Sequence, residues 1–183
     1  ERKDYGFMSN FFKTKNLTID EIKWKTSEHY FQAMKFKDYP WYFDLIRNIG
    51  TPAQAAYLGR MKKQGGWAWK TKLNHYIIQA IDDGVKIKED WEDIKDDIMY
   101  QVVYEKFYQD PLLKEMLLET ENAILVEHTP RDSYWGDGGD ESGKNKLGEI
   151  LMKVRNQLEG GALRLAREDN CEGPTLKSSW IVP

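Results

Sequence analysis

Apolar positions fall into two patterns along the chain, one repeating at helical spacing and one in short bursts broken by polar residues. Trp91, Ile94, Ile98, Val102 and Phe107 recur at near-helical intervals and predict a long amphipathic helix. Leu147, Ile150, Leu151, Val154 and Leu158 predict a last one, whose periodicity fades beyond Gly160-Gly161. Thr26 or Ser27 can cap a helix running through Glu28 to Phe36, with Pro40 limiting its extent. Thr51-Pro52 and Asp110-Pro111 each place proline directly after a capping side chain, and Gly59 stands where the first of these helices should stop. A short helix is expected around Tyr76-Ile77-Ile78, ending at Asp83-Gly84.

The bursts read as extended chain. Gly6 to Phe12 and Leu17 to Trp24 are short extended pieces, the second a hairpin turning at Asp20-Glu21. Ala123-Ile124-Leu125-Val126-Glu127-His128 reads as a buried strand. Thr129 to Lys144, with Tyr134-Trp135-Gly136-Asp137-Gly138-Gly139 at its centre, is too rich in glycine for a helix and must be a shaped loop. The pattern therefore predicts a helix-rich α+β fold with a few short strands. It divides into one domain over 1–158, with an excursion at about 61–88, and a tail over 159–183.

Composition narrows the partners. Apolar residues make up 40% of the chain and aromatics 13%, enough for a core without disulfides or metals. With 30 acidic against 27 basic side chains, only a local patch could bind nucleic acid by charge. The basic, aromatic stretch with Lys62, Lys63, Trp67, Trp69, Lys70 and Lys72 is one candidate. The single cysteine, Cys171, suits a reducing compartment, so an intracellular location, cytosol or nucleus, is expected. No apolar run approaches the roughly 20 residues a membrane helix needs. Glu1 is not methionine, which leaves targeting open.

Two groups of residues could carry chemistry. At roughly 3.6 residues per turn, Glu28, Phe31, Gln32 and Lys35 share one face of the helix after Thr26. A carboxylate, an amide and an amine would project together from a helix loaded with aromatics. The plain alternative is a capping acid and a solvated lysine. In the glycine-rich loop, backbone N–H groups could cradle phosphate oxygens, Trp135 could stack on a base and Asp137 could hold a ribose hydroxyl or a water. Lys144-Asn145 then leads into a helix, a setting that suits an anion. The alternative here is an ordinary surface turn. Glu28-His29 and Glu127-His128 repeat an acid–histidine pair, but neighbours in sequence point apart and no metal-ligand spacing recurs. No metal or redox cofactor is expected.

These segments resemble one family in order and in detail. Gly6-Phe7-Met8-Ser9-Asn10-Phe11 resembles the Ser-Asn-Phe opening of the NADAR (YbiA-like) family. Thr26 to Phe36 is similar to its Thr-Ser-Glu-His-Tyr-Phe-Gln-Ala helix motif, and Leu58-Gly59-Arg60 to its Gly-Arg element. Trp91 stands where the family has a tryptophan opening a long helix. Leu125-Val126-Glu127-His128, Tyr134 to Gly139 and Gly143-Lys144-Asn145-Lys146-Leu147-Gly148 match further runs. The likeness spans about residues 6 to 158. It departs in lacking the strand with an aromatic pair that usually precedes Ser-Asn-Phe, in the long stretch between Arg60 and Trp91, and in the tail.

The resemblance implies a single YbiA-like domain hydrolysing an N-glycosidic bond between a base or amine and a ribose. It implicates Glu28, Trp91, Trp135 and Asp137 in catalysis and substrate binding; with Lys35 as a further candidate, the expected catalytic set is Glu28, Lys35 and Asp137. The substrate-binding set is Asn10, Phe31, Gln32, Arg60, Trp91, Trp135, Gly136, Gly138, Lys144 and Asn145. The leading expectation is removal of ADP-ribose from guanine in nucleic acid, favoured by the basic-aromatic stretch. The alternatives are hydrolysis of ribosylamine phosphates of riboflavin biosynthesis, and a non-catalytic module binding ADP-ribose or NAD-derived groups. Two mechanisms stand open. Either Lys35 forms an imine with the opened sugar, or Glu28 or Asp137 activates water against an oxocarbenium-like ribose. Oligomeric state has no signature in the sequence.

Overall fold

The computed structural model of the protein describes residues 5–62 and 68–168. These contain seven α-helices and one two-stranded antiparallel sheet, a helix-rich α+β architecture as expected. The chain divides into two compact units, one of residues 13–98 and one joining 1–12 to 99–183. No helix among the described residues is long and apolar enough to cross a membrane.

In the 13–98 unit, β1 (Thr18–Ile19) and β2 (Ile22–Lys23) form the expected hairpin. Asp20 and Glu21 both take positive φ, 52° and 62°, as a tight turn matching the strand twist requires. The hairpin leads to Trp24, buried edge-on against Tyr30 at 5.1 Å and Phe43 at 5.6 Å. Thr26 caps α1 (Ser27–Met34) by accepting from the His29 N–H at 3.2 Å. Every residue of α1 from Ser27 to Ala33 is buried, because α2 (Pro40–Asn48) and α3 (Pro52–Gly59) pack against it. The motif α2 was not anticipated. Pro40 reads as a stop in sequence, yet it occupies the first turn of a new helix, where its missing N–H costs nothing. Thr51 and Gln54 close a reciprocal capping box on α3. The helix α4 (Ala68–Asp82) is longer than the short one expected around Ile77. The helix α5 (Trp91–Gln109) begins in this unit and ends in the other.

In the other unit, Gly6–Met8 forms one turn of 3-10 helix rather than extended chain, which buries Phe7 and Met8. Phe7 meets Phe107 of α5 edge-on at 6.2 Å. Asp110 caps α6 (Pro111–Leu118), which packs on α7 (Lys146–Glu168). The helix α7 runs through Gly160-Gly161, beyond the expected end of the domain. The tail from 169 onward, with Cys171, lies outside the described residues.

The expected strand at 123–128 is a correction. The segment is extended, with Ala123 and Leu125 buried, but Ile124 is 62% exposed and among the described residues no strand runs beside it. One side chain meets two of its backbone groups. Asn145 accepts from the Glu127 N–H and donates to the Leu125 carbonyl, both at 2.9 Å. A carboxamide has the donor–acceptor pair a neighbouring strand would present, so it satisfies the backbone without a sheet.

Lys106 of α5 is 1% exposed. Its Nζ donates to the Ser9 carbonyl at 2.9 Å and lies 5.5 and 5.1 Å from the Phe12 and Phe107 ring centres. Burial pushes the amine down to about 7. A lysine in the unfolded chain titrates near 10.4. Between these values the unfolded chain holds a proton that the folded chain releases, so stability rises with pH across that window. We expect this group to add about 2 kcal/mol of unfolding free energy between pH 7 and 9. Urea melts at the two pH values should show that increment, and Lys106→Met should remove it.

Candidate active site

Four of the expected residues meet on α1. Glu28 is 8% exposed, and its Oε1 accepts from Gln32 Nε2 at 2.8 Å, one helical turn on. Lys35 follows at the C-terminal cap, where its Nζ donates to the Gly59 carbonyl at 3.3 Å. That nitrogen lies 5.6 Å from the Phe31 ring centre and 5.5 Å from that of Trp91. The two rings pack edge-on at 5.0 Å. Burial pushes the Lys35 amine down to about 8; Glu28 opposes the shift and Arg60, at the end of α3, adds to it. About a tenth of the amine is then neutral at pH 7 and about half at pH 8. Gly59 makes the approach possible, since a Cβ there would fall 1.9 Å from Gln32 Oε1. The aromatic and polar faces of α1 thus bring Glu28, Phe31, Gln32, Lys35, Arg60 and Trp91 into one neighbourhood.

His29, between two of these residues, is structural. Its Nε2 donates to the Ile49 carbonyl at 3.1 Å while Nδ1 accepts from the Thr26 hydroxyl at 2.8 Å. Burial lowers its pKa, which keeps the ring neutral. Among the described residues no group of three or more His, Cys, Asp or Glu side chains could hold a metal ion. A cavity of about 470 Å³ lined by Asp38, Tyr39 and residues 86–90 contains none of the candidates.

The remaining candidates lie in the other unit. Asp137 is 3% exposed, and its Oδ1 accepts from the N–H groups of Thr129 at 3.1 Å and Gly139 at 2.8 Å. Its Oδ2 faces His128 Nδ1 at 2.7 Å. This bond holds the Asp137 acid below the usual carboxylate range and raises His128, whose ring is half exposed. Sequence reasoning weighed His128 only as a metal ligand. Nothing in a separation of nine residues across a glycine-rich loop announces the pairing.

The loop closes on itself. Asn145, Lys146 and Leu147 donate their N–H groups to Gly136, Tyr134 and Trp135. The donors expected to receive an anion at the start of α7 are therefore used within the chain. Gly136 has no room for a side chain, because a Cβ would sit 2.7 Å from the Glu127 carbonyl oxygen. Gly138 adopts φ of 76°. Trp135 packs edge-on to Tyr134 at 5.1 Å, and exposed Lys144 places Nζ 5.1 Å from the Tyr134 ring centre. Asn10 is 8% exposed; its Nδ2 donates to Met99 Sδ at 3.2 Å and its Oδ1 has no partner among the described residues. Of the basic-aromatic stretch, Lys63 and Trp67 lie outside the described residues.

The NADAR domain matches residues 1–159. The N-glycosidase YbiA of Escherichia coli strain K12 is 40% identical over 155 residues, covering 85% of this chain and 82% of that protein. A riboflavin biosynthesis protein of Vibrio vulnificus is 36% identical over 157 residues, covering 86% of this chain and 36% of its own longer one. The NMR structure of the E. coli protein YbiA superposes with a TM-score of 0.67 at 36% identity, covering 93% of this chain and 84% of that one. The chain belongs to the NADAR family, with the helix-rich YbiA-like domain of an N-glycosidase.

Proposed function

We propose that the protein hydrolyses the N-glycosidic bond of a ribosylamine phosphate through an imine on Lys35. The observation that supports this reading is an amine packed between Phe31 and Trp91 with its pKa lowered to about 8, on the same helix face as a buried carboxylate. A neutral amine is a nucleophile, and desolvation is how a lysine becomes one near neutral pH.

The chemistry balances with one water. Protonation of the ring oxygen opens the sugar, and the glycosidic nitrogen's lone pair makes C1 an iminium carbon. Lys35 Nζ adds to C1, and a proton passes from Nζ to the departing nitrogen. The amine leaves, with C1 doubly bonded to Nζ. Water then adds at C1 and the C1–Nζ bond breaks, releasing ribose phosphate as the aldehyde and restoring the lysine. Glu28 supplies and recovers protons, and Gln32 Nε2 fixes the position of its Oε1.

Relatives and chemistry together support this substrate class. A relative named as a riboflavin biosynthesis protein supports a small ribosylamine phosphate. Ribosylamines also open to imines far more readily than base-linked ribosides. ADP-ribosylated guanine in nucleic acid is the second reading, favoured by the lysines and tryptophans between Lys62 and Lys72. Incubating the protein with each substrate and following released sugar separates the two. Cleavage of the small molecule alone supports the first reading, and cleavage of the oligonucleotide alone replaces it with the second. Glu28→Gln should reduce kcat roughly 10²–10⁴-fold while leaving substrate binding within a few-fold by calorimetry. Unchanged turnover would remove Glu28 from the proton path.

A further inference from the structure

The Gln32 carboxamide has one satisfied end and one empty end. Its Nε2 donates to Glu28. Its Oε1 is buried and accepts from nothing among the described residues, in a side chain that is 8% exposed. Turning the amide over would set Oε1 against the Glu28 carboxylate, two acceptors facing each other, so the observed orientation is the one the acid enforces. A buried acceptor with no donor weakens a fold. It is tolerated where a ligand brings the donor.

Position identifies that donor. Gln32 precedes Lys35 by one helical turn on the same face, and both border Gly59. Oε1 rests against the point where a Gly59 side chain would start, and Lys35 Nζ holds the Gly59 carbonyl. On the reading that Lys35 bonds to C1 of the sugar, the sugar donor nearest the new bond is the hydroxyl on the adjoining carbon. We infer that Gln32 Oε1 accepts a hydrogen bond from the ribose 2-hydroxyl, which makes the enzyme selective for ribosyl over 2-deoxyribosyl substrates. A site built to pair a substrate hydroxyl rejects the analogue lacking it, because the buried partner is then left empty. Gln32 is thereby a specificity-determining residue.

The test uses 5-phosphate N-glycosides of one amine, carrying ribose or 2-deoxyribose, with kcat/KM measured for each. The wild-type enzyme should favour the ribosyl compound by roughly 100-fold, although 2-deoxyribosides are intrinsically the more labile. Gln32→Met should lower activity on both sugars by releasing Glu28, and lower it further on the ribosyl compound, so that the preference falls to a few-fold. Gln32→Glu, which keeps acceptor oxygens, should retain the preference. An indifferent wild-type enzyme overturns the inference without any variant, so a misfolded Gln32→Met cannot shelter it. An equal loss on both sugars in a folded Gln32→Met also overturns it, since Gln32 would then only support Glu28. Borohydride trapping with the ribosyl compound reports on Lys35 separately. An adduct without sugar preference sinks the Gln32 inference alone, whereas an active enzyme that gives no adduct sinks the imine on which it rests.

Discussion

Lys35→Met should abolish turnover, with kcat/KM falling on the order of 10⁴-fold or more, as loss of a covalent nucleophile does elsewhere. The methionine keeps the length and most of the apolar contact of the lysine stem with Phe31 and Trp91, so the fold should survive. Borohydride added during turnover should attach the sugar to the wild-type protein and not to the variant. In the wild type, kcat/KM should climb as pH rises towards about 8, because the reactive form is the neutral amine and protonation removes it. A variant that retains activity, or a wild-type profile flat across that range, would transfer the reaction to direct attack by water.

Gly148→Ala should be the most damaging small substitution for stability. A Cβ at this position in α7 would lie 2.2 Å from the Leu125 carbonyl oxygen and 2.4 Å from the Asn145 carboxamide nitrogen. The first obstacle is backbone and cannot swing aside. The second is the carboxamide that satisfies Leu125 and Glu127 in place of a neighbouring strand. Relief requires moving the helix or breaking that clamp, at a cost of about 3 kcal/mol. The melting temperature should fall by roughly 10 °C. Gly160→Ala, in the same helix with nothing within 4 Å of its would-be side chain, is the control and should stabilise slightly through helix propensity. If both substitutions shift the melt equally, the close approach at Gly148 has no energetic consequence.

Much of the fold was legible because its signals are local. Thr26, Thr51 and Asp110 start the helices that their hydroxyl and carboxylate chemistry predicts, and Asp20-Glu21 makes the turn. What escaped depends on distant partners. The run at 123–128 has the composition of a buried strand, but two of its backbone groups pair with a side chain 18 and 20 residues away, which no period can reveal. Pro40 is ambiguous in sequence, since the same ring that ends one helix begins another.

The candidate site divides in the same way. The shared face of Glu28, Phe31, Gln32 and Lys35 follows from helix geometry alone. The contributions of Gly59 and Trp91 at Lys35 require the tertiary structure. The bonding of Asp137 to Thr129, Gly139 and His128 likewise had no linear trace.

The closed glycine-rich loop dictates where this chain can change length. From Ser133 to Asp137 its backbone is tied to residues 127 and 143–147 by successive hydrogen bonds, so an added residue there would shift every partner out of register. Asp140, Glu141 and Ser142 are exposed, and their N–H and C=O groups take no part in that lattice. An epitope or fluorophore carrier grafted at this crest would leave the tied segments undisturbed, although the whole stretch looks equally irregular on paper.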